Sequence, residues 1–152
     1  MINGSNSAAV PQDTDPRTIL VVDDDLSVLG VIRAMLESGE FNVLLAHTAE
    51  IALHFVQRDD LRIDLMLVDV MMPEMSGPEL AEKILSIRPH LKVLFMSGFA
   101  DSEVVRVKVL DRALGFLPKP FTSDGLLERL TKVLDDSDRN VSVAAAMRAG
   151  WR

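Results

Sequence analysis

The chain of 152 residues has no cysteine and no tyrosine, a single tryptophan, and an aromatic content of only 5%. Without cysteine there are no disulfides and no thiolate metal sites, and a reducing compartment is permitted. Basic residues are also in deficit: 16 Lys and Arg stand against 23 Asp and Glu, a net charge of −7. Binding a phosphate backbone requires a basic face, so nucleic acid is not expected as a direct partner. No apolar run approaches the roughly 20 residues that span a bilayer. The N-terminus also lacks the basic-then-apolar order of a secretory signal. The expectation is a cytoplasmic protein with no membrane insertion. What the chain does have is an apolar fraction of 48%, enough for one buried core at this length.

Short β-branched or apolar runs alternate with segments of helical periodicity. Strands are expected at Thr18–Val22, Phe41–Ala46, Asp64–Val68, Leu91–Met96 and Ala113–Leu117. They are continuously apolar, as strands covered on both faces are. Helices are expected from Leu26 to Glu37, from a Thr48 cap to about Arg58, from a Ser76/Glu79 capping box to before Pro89, from about Ser102 to Asp111, and from about Ser123 to Leu134. Gly39 is expected to close the first of these. With no hairpin signal, this order implies an α/β fold with a parallel sheet and helices on both faces. Residues 1–16, rich in Asn, Ser, Asp and Pro, read as a flexible N-terminal arm, 17–136 as the folded domain, and 137–152 as a tail that is either a short helix or a frayed end. The plainer reading of that tail is a frayed end, with docking of Trp151 and the nearby arginines on a surface as the alternative.

A parallel sheet gathers the carboxyl ends of its strands on one edge, where ligands bind. That edge collects Asp23, Asp24 and Asp25 from the first strand, Asp69 from the third, Ser97 from the fourth and Lys119 from the fifth. Two carboxylates about 5 Å apart repel by roughly 3 kcal/mol at an effective dielectric of 20. A raised pKa or a hard divalent cation relieves this. All-oxygen ligands favour Mg²⁺, with Mn²⁺ as a substitute, over zinc. Lys119 supplies a point charge and Ser97 a hydroxyl for a phosphoryl group, a combination suited to phosphoryl transfer onto an aspartate. The histidines His47, His54 and His90 lack ligand spacing and are read as surface or packing residues.

The same residues resemble the receiver domain of two-component response regulators over about Thr18 to Asp135. The resemblance is carried by Val21-Val22-Asp23-Asp24-Asp25, Leu67-Val68-Asp69-Val70-Met71-Met72-Pro73, Met75-Ser76-Gly77, Met96-Ser97-Gly98 and Leu117-Pro118-Lys119-Pro120-Phe121. It implies a flavodoxin-like (βα)5 three-layer sandwich with a sheet of order 2-1-3-4-5. By the same resemblance Asp69 is the phosphoacceptor, Asp24 a direct Mg²⁺ ligand and Asp23 one acting largely through water. Met71 offers its backbone carbonyl to the metal. Ser97 is the switch hydroxyl, Lys119 the lysine that pairs with the phosphoryl group, Phe116 the aromatic switch, and the Lys119–Pro120 bond is cis. Pro118, just before the key lysine, is less usual and removes a backbone donor. Met71 and Phe99 flank the site without polar side chains to orient a water, which implies a long-lived phosphorylated form.

The expected activity is therefore that of a signalling receiver rather than an enzyme. It takes a phosphoryl group, with Mg²⁺, from a histidine kinase or a histidine phosphotransfer protein, and loses it by autodephosphorylation. The face made by the helix at 102–111, the fifth strand and the last helix would then change its affinity for a downstream protein. Only about 17 residues follow Asp135, so protein binding or phosphoryl relay is the expected output. The resemblance covers a standalone regulator and a receiver of a hybrid kinase alike. Three rivals differ in chemistry or role. A Mg²⁺-dependent phosphohydrolase would use Asp23 as nucleophile with Asp25. A flavin-binding module would need a less acidic first strand end. A degenerate receiver would lack the site residues that this chain retains.

Overall fold

The computed structural model describes residues 15–98 and 115–135. Five parallel strands, β1 (Thr18–Val22), β2 (Asn42–Ala46), β3 (Leu65–Asp69), β4 (Lys92–Ser97) and β5 (Gly115–Pro118), form one sheet of order β2-β1-β3-β4-β5. Four helices are described: α1 (Leu26–Ser38), α2 (Ala49–Val56), α3 (Gly77–Ile87) and α4 (Ser123–Asp135). The expected order and parallel sense are both present. The expected helix at 102–111, the arm 1–14 and the tail after Asp135 lie outside the described residues. None of the described helices is long and apolar enough to cross a membrane.

Strand alternation splits the core into two layers. Ile19, Val21, Leu65, Leu67, Leu94 and Met96 face α1 and α4, meeting Leu29, Ile32, Leu36, Leu126 and Leu130. Leu20, Val22, Met66, Val68 and Phe95 face the other way, against Ala52, Val56, Leu80, Ala81 and Ile84. Each face of each central strand is thus covered, which explains the absence of polar alternation in the sequence.

Local chemistry sets the element ends, and several differ from expectation. Thr48 caps α2 as expected, but the helix ends at Val56. There Arg58 N–H bonds the Phe55 carbonyl in a tighter turn, and the Arg58 guanidinium pairs with Asp60 at 2.6 Å. β2 begins at Asn42, since Phe41 N–H is taken by the Leu36 carbonyl. β5 extends through Pro118, one residue further than expected. It is an edge strand, where a missing N–H is tolerated, and Lys119 N–H bonds the Ser97 carbonyl at 2.8 Å. Gly39 does close α1, but its φ of −94° needs no glycine, and the left-handed residue is Glu40, at φ 67°. At 39 a Cβ would lie 2.6 Å from Leu127 Cδ2 of α4, so the absent side chain gives the tip of Leu127 room to pack here. Arg88, beyond α3, donates to the carbonyls of Val56, Leu61 and Arg58 and so fastens the loop after α2.

The loop that follows Asp69 is held as closely as the strand before it. Val70 N–H bonds the Met96 carbonyl at 2.9 Å, and Gly77 N–H returns to the Val70 carbonyl at 2.8 Å. Ser76 and Glu79 form the expected reciprocal cap. A Cβ on Gly77 would run into the carbonyl oxygen of Asp69 and lie 3.0 Å from Val70 Cα, both backbone atoms that do not swing aside. Gly77→Ala is therefore expected to lower stability by about 1–3 kcal/mol, the usual range for forced overpacking, read as a fall in the urea midpoint. An unchanged midpoint would mean that the loop is not held this closely.

Candidate functional site

Asp69 ends β3 in the centre of the sheet, with Asp23 just past the end of its neighbour β1. Both are buried, Asp69 being only 8% exposed, whereas Asp24 faces solvent. One carboxylate oxygen from each of the three lies within 4.8 Å of the others. From β5, two strands away from β3, Lys119 reaches back across the edge. Its Nζ donates to Asp23 Oδ2 at 2.8 Å and to Asp69 Oδ2 at 3.4 Å.

The second oxygens are also engaged. Asp23 Oδ1 accepts from Asp25 N–H at 2.9 Å, and Asp69 Oδ1 accepts from Met71 N–H at 3.4 Å. Asp25 stands apart from the cluster. Its carboxylate caps α1, accepting from the Ser27 hydroxyl and the N–H groups of Ser27 and Val28. The Ser27 hydroxyl, followed by these backbone bonds, holds the Asp25 carboxyl below the usual carboxylate range.

The Asp69 carboxyl is pushed up. Burial is the main cause and the Asp23 charge adds to it, while Lys119 opposes both without cancelling them. The Lys119 ammonium is also raised: burial works against its charge, but the hydrogen bond it donates to Asp23 and the charges of the two carboxylates together outweigh it. The cluster thus holds more negative charge than its one lysine neutralises. An all-oxygen set of three carboxylates with one member open to solvent suits a hard divalent cation such as Mg²⁺, which keeps several waters. Asp23, Asp24 and Asp69 are the residues that could hold it, with the backbone of Met71 alongside.

Two sequence-expected residues sit differently from the rest. Ser97 is buried at the end of β4, but its hydroxyl is directed to the Gly98 carbonyl at 3.1 Å, and no bond from it to Asp69 or Lys119 is present. Phe116 is buried in the core layer with Phe95, Val68 and Val70. Its carbonyl accepts from Arg129 of α4. The Lys119–Pro120 bond is cis, as the resemblance implies. Sequence reasoning gave no role to Arg129, since nothing in a helical arginine marks which carbonyl it will reach. It also gave no role to Gly77 beyond punctuation, although a glycine shortly after the acid was the available signal.

Comparison with known proteins adds the sequence and fold relationships. The response regulator receiver domain model matches residues 19–131. The chain is 34% identical over 122 residues to the sensor kinase CckA of Brucella abortus, covering 80% of this chain and 13% of that protein. It is 38% identical over 117 residues to the response regulator MprA of Mycobacterium avium, covering 76% of this chain and 50% of that one. It thus spans half or less of the length of these relatives. A solved receiver domain protein (CheY-like) from Methanospirillum hungatei superposes with a TM-score of 0.70 at 31% identity, covering 81% of this chain and 97% of the other.

The raised Asp69 pKa has a thermodynamic sign. Above its folded value the ionised carboxylate opposes folding, and this cost fades as pH falls through that value towards the ordinary carboxylate range. Asp69→Asn is therefore expected to raise the urea midpoint at pH 7 in the presence of EDTA, with the gain shrinking towards zero in acid. A variant less stable than wild type at pH 7 would show that the lysine pair, not desolvation and repulsion, dominates at Asp69.

Proposed function

Because the chain belongs to the response regulator receiver domain family, we propose that it accepts a phosphoryl group on Asp69 from a histidine kinase or a histidine phosphotransfer protein. One arrangement carries this reading: a buried acid flanked by two further carboxylates and bridged to one of them by a lysine. In the proposed step a carboxylate oxygen of Asp69 attacks phosphorus, the P–N bond to the donor imidazole breaks, and the imidazole leaves. Asp23 and Asp24, with Asp69 and the Met71 carbonyl, would hold Mg²⁺ (or Mn²⁺), which supplies positive charge against the phosphoryl oxygens. Lys119 exchanges its bond to Asp69 for one to the incoming group. It stays anchored by Asp23, so its position costs little reorganisation.

Signalling follows from Ser97 and Phe116. A phosphoryl oxygen on Asp69 offers the Ser97 hydroxyl a stronger acceptor than the Gly98 carbonyl. Moving it loosens the end of β4, and Phe116, on the neighbouring β5, repacks. The face built from β5, α4 and segment 102–111 then changes its affinity for a downstream protein, a population shift driven at one residue. The working unit is proposed to span 17–136 and to act in the cytoplasm, either as a regulator or within a kinase. A phosphohydrolase with Asp23 as nucleophile and Asp25 as its partner is disfavoured, because Asp25 is committed to capping α1.

Incubation with Mg²⁺ and a small phosphodonor such as acetyl phosphate, followed by peptide mass mapping, should place the label on Asp69. Asp69→Asn should abolish it, and Lys119→Ala should slow it by roughly 10²-fold or more, the loss typical when one preorganised charge contact is removed. Label on Asp23, or normal labelling of Asp69→Asn, would overturn the reading. The Met71 side chain is half exposed at the mouth of the site and has no group to orient an attacking water. The phosphorylated protein is therefore expected to persist for minutes, so that phosphate release complete within seconds would contradict this account of position 71.

A further inference from the structure

We propose that the C-terminal segment 137–152 docks in the apolar groove between α1 and the loop joining β5 to α4, covering it from solvent. The groove has a volume of about 500 Å³ and is walled by Val28, Val31, Ile32, Met35, Pro120 and Phe121, with Ser27 and Gly98 beside them and Lys119 the one charged residue among the described lining residues. Beside it the outer face of α1 is uncovered: Leu26 is 67% and Val31 55% exposed, two of the four exposed large hydrophobics among the described residues. An isolated exposed leucine needs no explanation, but a helix face, a groove and a Pro–Phe pair together form a contiguous apolar surface.

Chemistry and reach favour the segment as occupant. Residues 141–147 read Val-Ser-Val-Ala-Ala-Ala-Met, without a charge, and the only tryptophan of the chain follows at Trp151. Such composition is poorly suited to a solvated tail. The segment leaves the end of α4 at Asp135, at the far end of that helix from Phe121. The 13 residues of α4 span roughly 20 Å, and the remaining 17 residues cover about 25 Å even if helical and far more if extended. A surface depression lined by Leu127, Glu128, Thr131, Lys132 and Asp135 runs along the same helix. Asp24, Asp25 and Asp124 are exposed at the carboxyl edge of the sheet, where their field attracts Arg148 and Arg152. Tethering supplies an effective concentration of about millimolar order, so modest contact area suffices. Because Lys119 lines the groove, an occupied groove would also hinder a phosphodonor. That regulatory consequence rests on the function proposed above, whereas docking itself does not.

Trp151 is its own reporter. In the full chain its emission should be blue-shifted, and acrylamide should quench it several-fold less than in denaturant, independently of protein concentration. Val31→Glu, at a position already exposed, should shift the emission to the red and restore quenching. Ile87→Glu, on the exposed face of α3, should leave both unchanged. Circular dichroism of both variants checks that the fold persists. Solvent-like emission in the full chain would overturn the proposal, as would sensitivity to Ile87→Glu in place of Val31→Glu. Protection lost on dilution would assign the groove to a second copy instead.

Discussion

One ammonium group reconciles the charges on which the site depends. Lys119 arrives from the edge strand and bonds Asp23 at 2.8 Å and Asp69 at 3.4 Å, so two buried acids share a single cation. Removing one partner from a buried pair leaves an uncompensated charge, and the cost is large compared with that of a surface ion pair. The exposed pairs Arg33–Glu37 and Arg58–Asp60 are of the second kind and carry little of the stability. The balance at the edge is deliberately incomplete: the carboxyl of Asp69 is still pushed up, so the site gains from any further positive charge that enters it.

That electrostatic arrangement depends on packing some distance away. β1 and β3 pair from Ile19–Leu65 to Val22–Val68, which sets Asp69 one step beyond the last pair and brings Asp23 beside it. Both core layers press on these strands, so neither acid can retreat along its strand. The close approach of Gly77 to the Asp69 backbone fixes the loop from the other side. The Asp25 cap fixes the start of α1 and, through its own N–H, one oxygen of Asp23. A hydrogen bond of helix capping is in this way also a positioning bond for the site.

Most of this architecture was legible in the sequence because its signals are local. Continuous apolar runs such as Leu65–Val68 announce strands covered on both faces, and four of the five lead into a residue able to do chemistry. The Ser76/Glu79 cap and the Thr48 cap needed only spacing. What could not be read depends on contacts distant in the chain. Gly39 looked like a conformational glycine, but the left-handed conformation falls on Glu40, and at 39 the neighbour is the side-chain tip of Leu127 some ninety positions later. Arg88 and Arg129 bond carbonyls that no local pattern names. The Ser97 hydroxyl turned to its own neighbour is likewise invisible to sequence, because a rotamer is chosen by competing acceptors rather than by residue type.

The edge position of β5 carries one more implication, for assembly during synthesis. Lys119 lies 96 residues from Asp23 and 50 from Asp69 along the chain. The three acids are therefore translated before their counter-charge, and any pairing of β1 with β3 ahead of Lys119 would bring them together without it. Until then mobile cations in the surrounding solution must screen them, an effect that operates over about 8–10 Å at physiological ionic strength. Nascent-chain folding should accordingly be a step at which the ionic composition of the cell, and not only the sequence, governs how quickly the sheet closes.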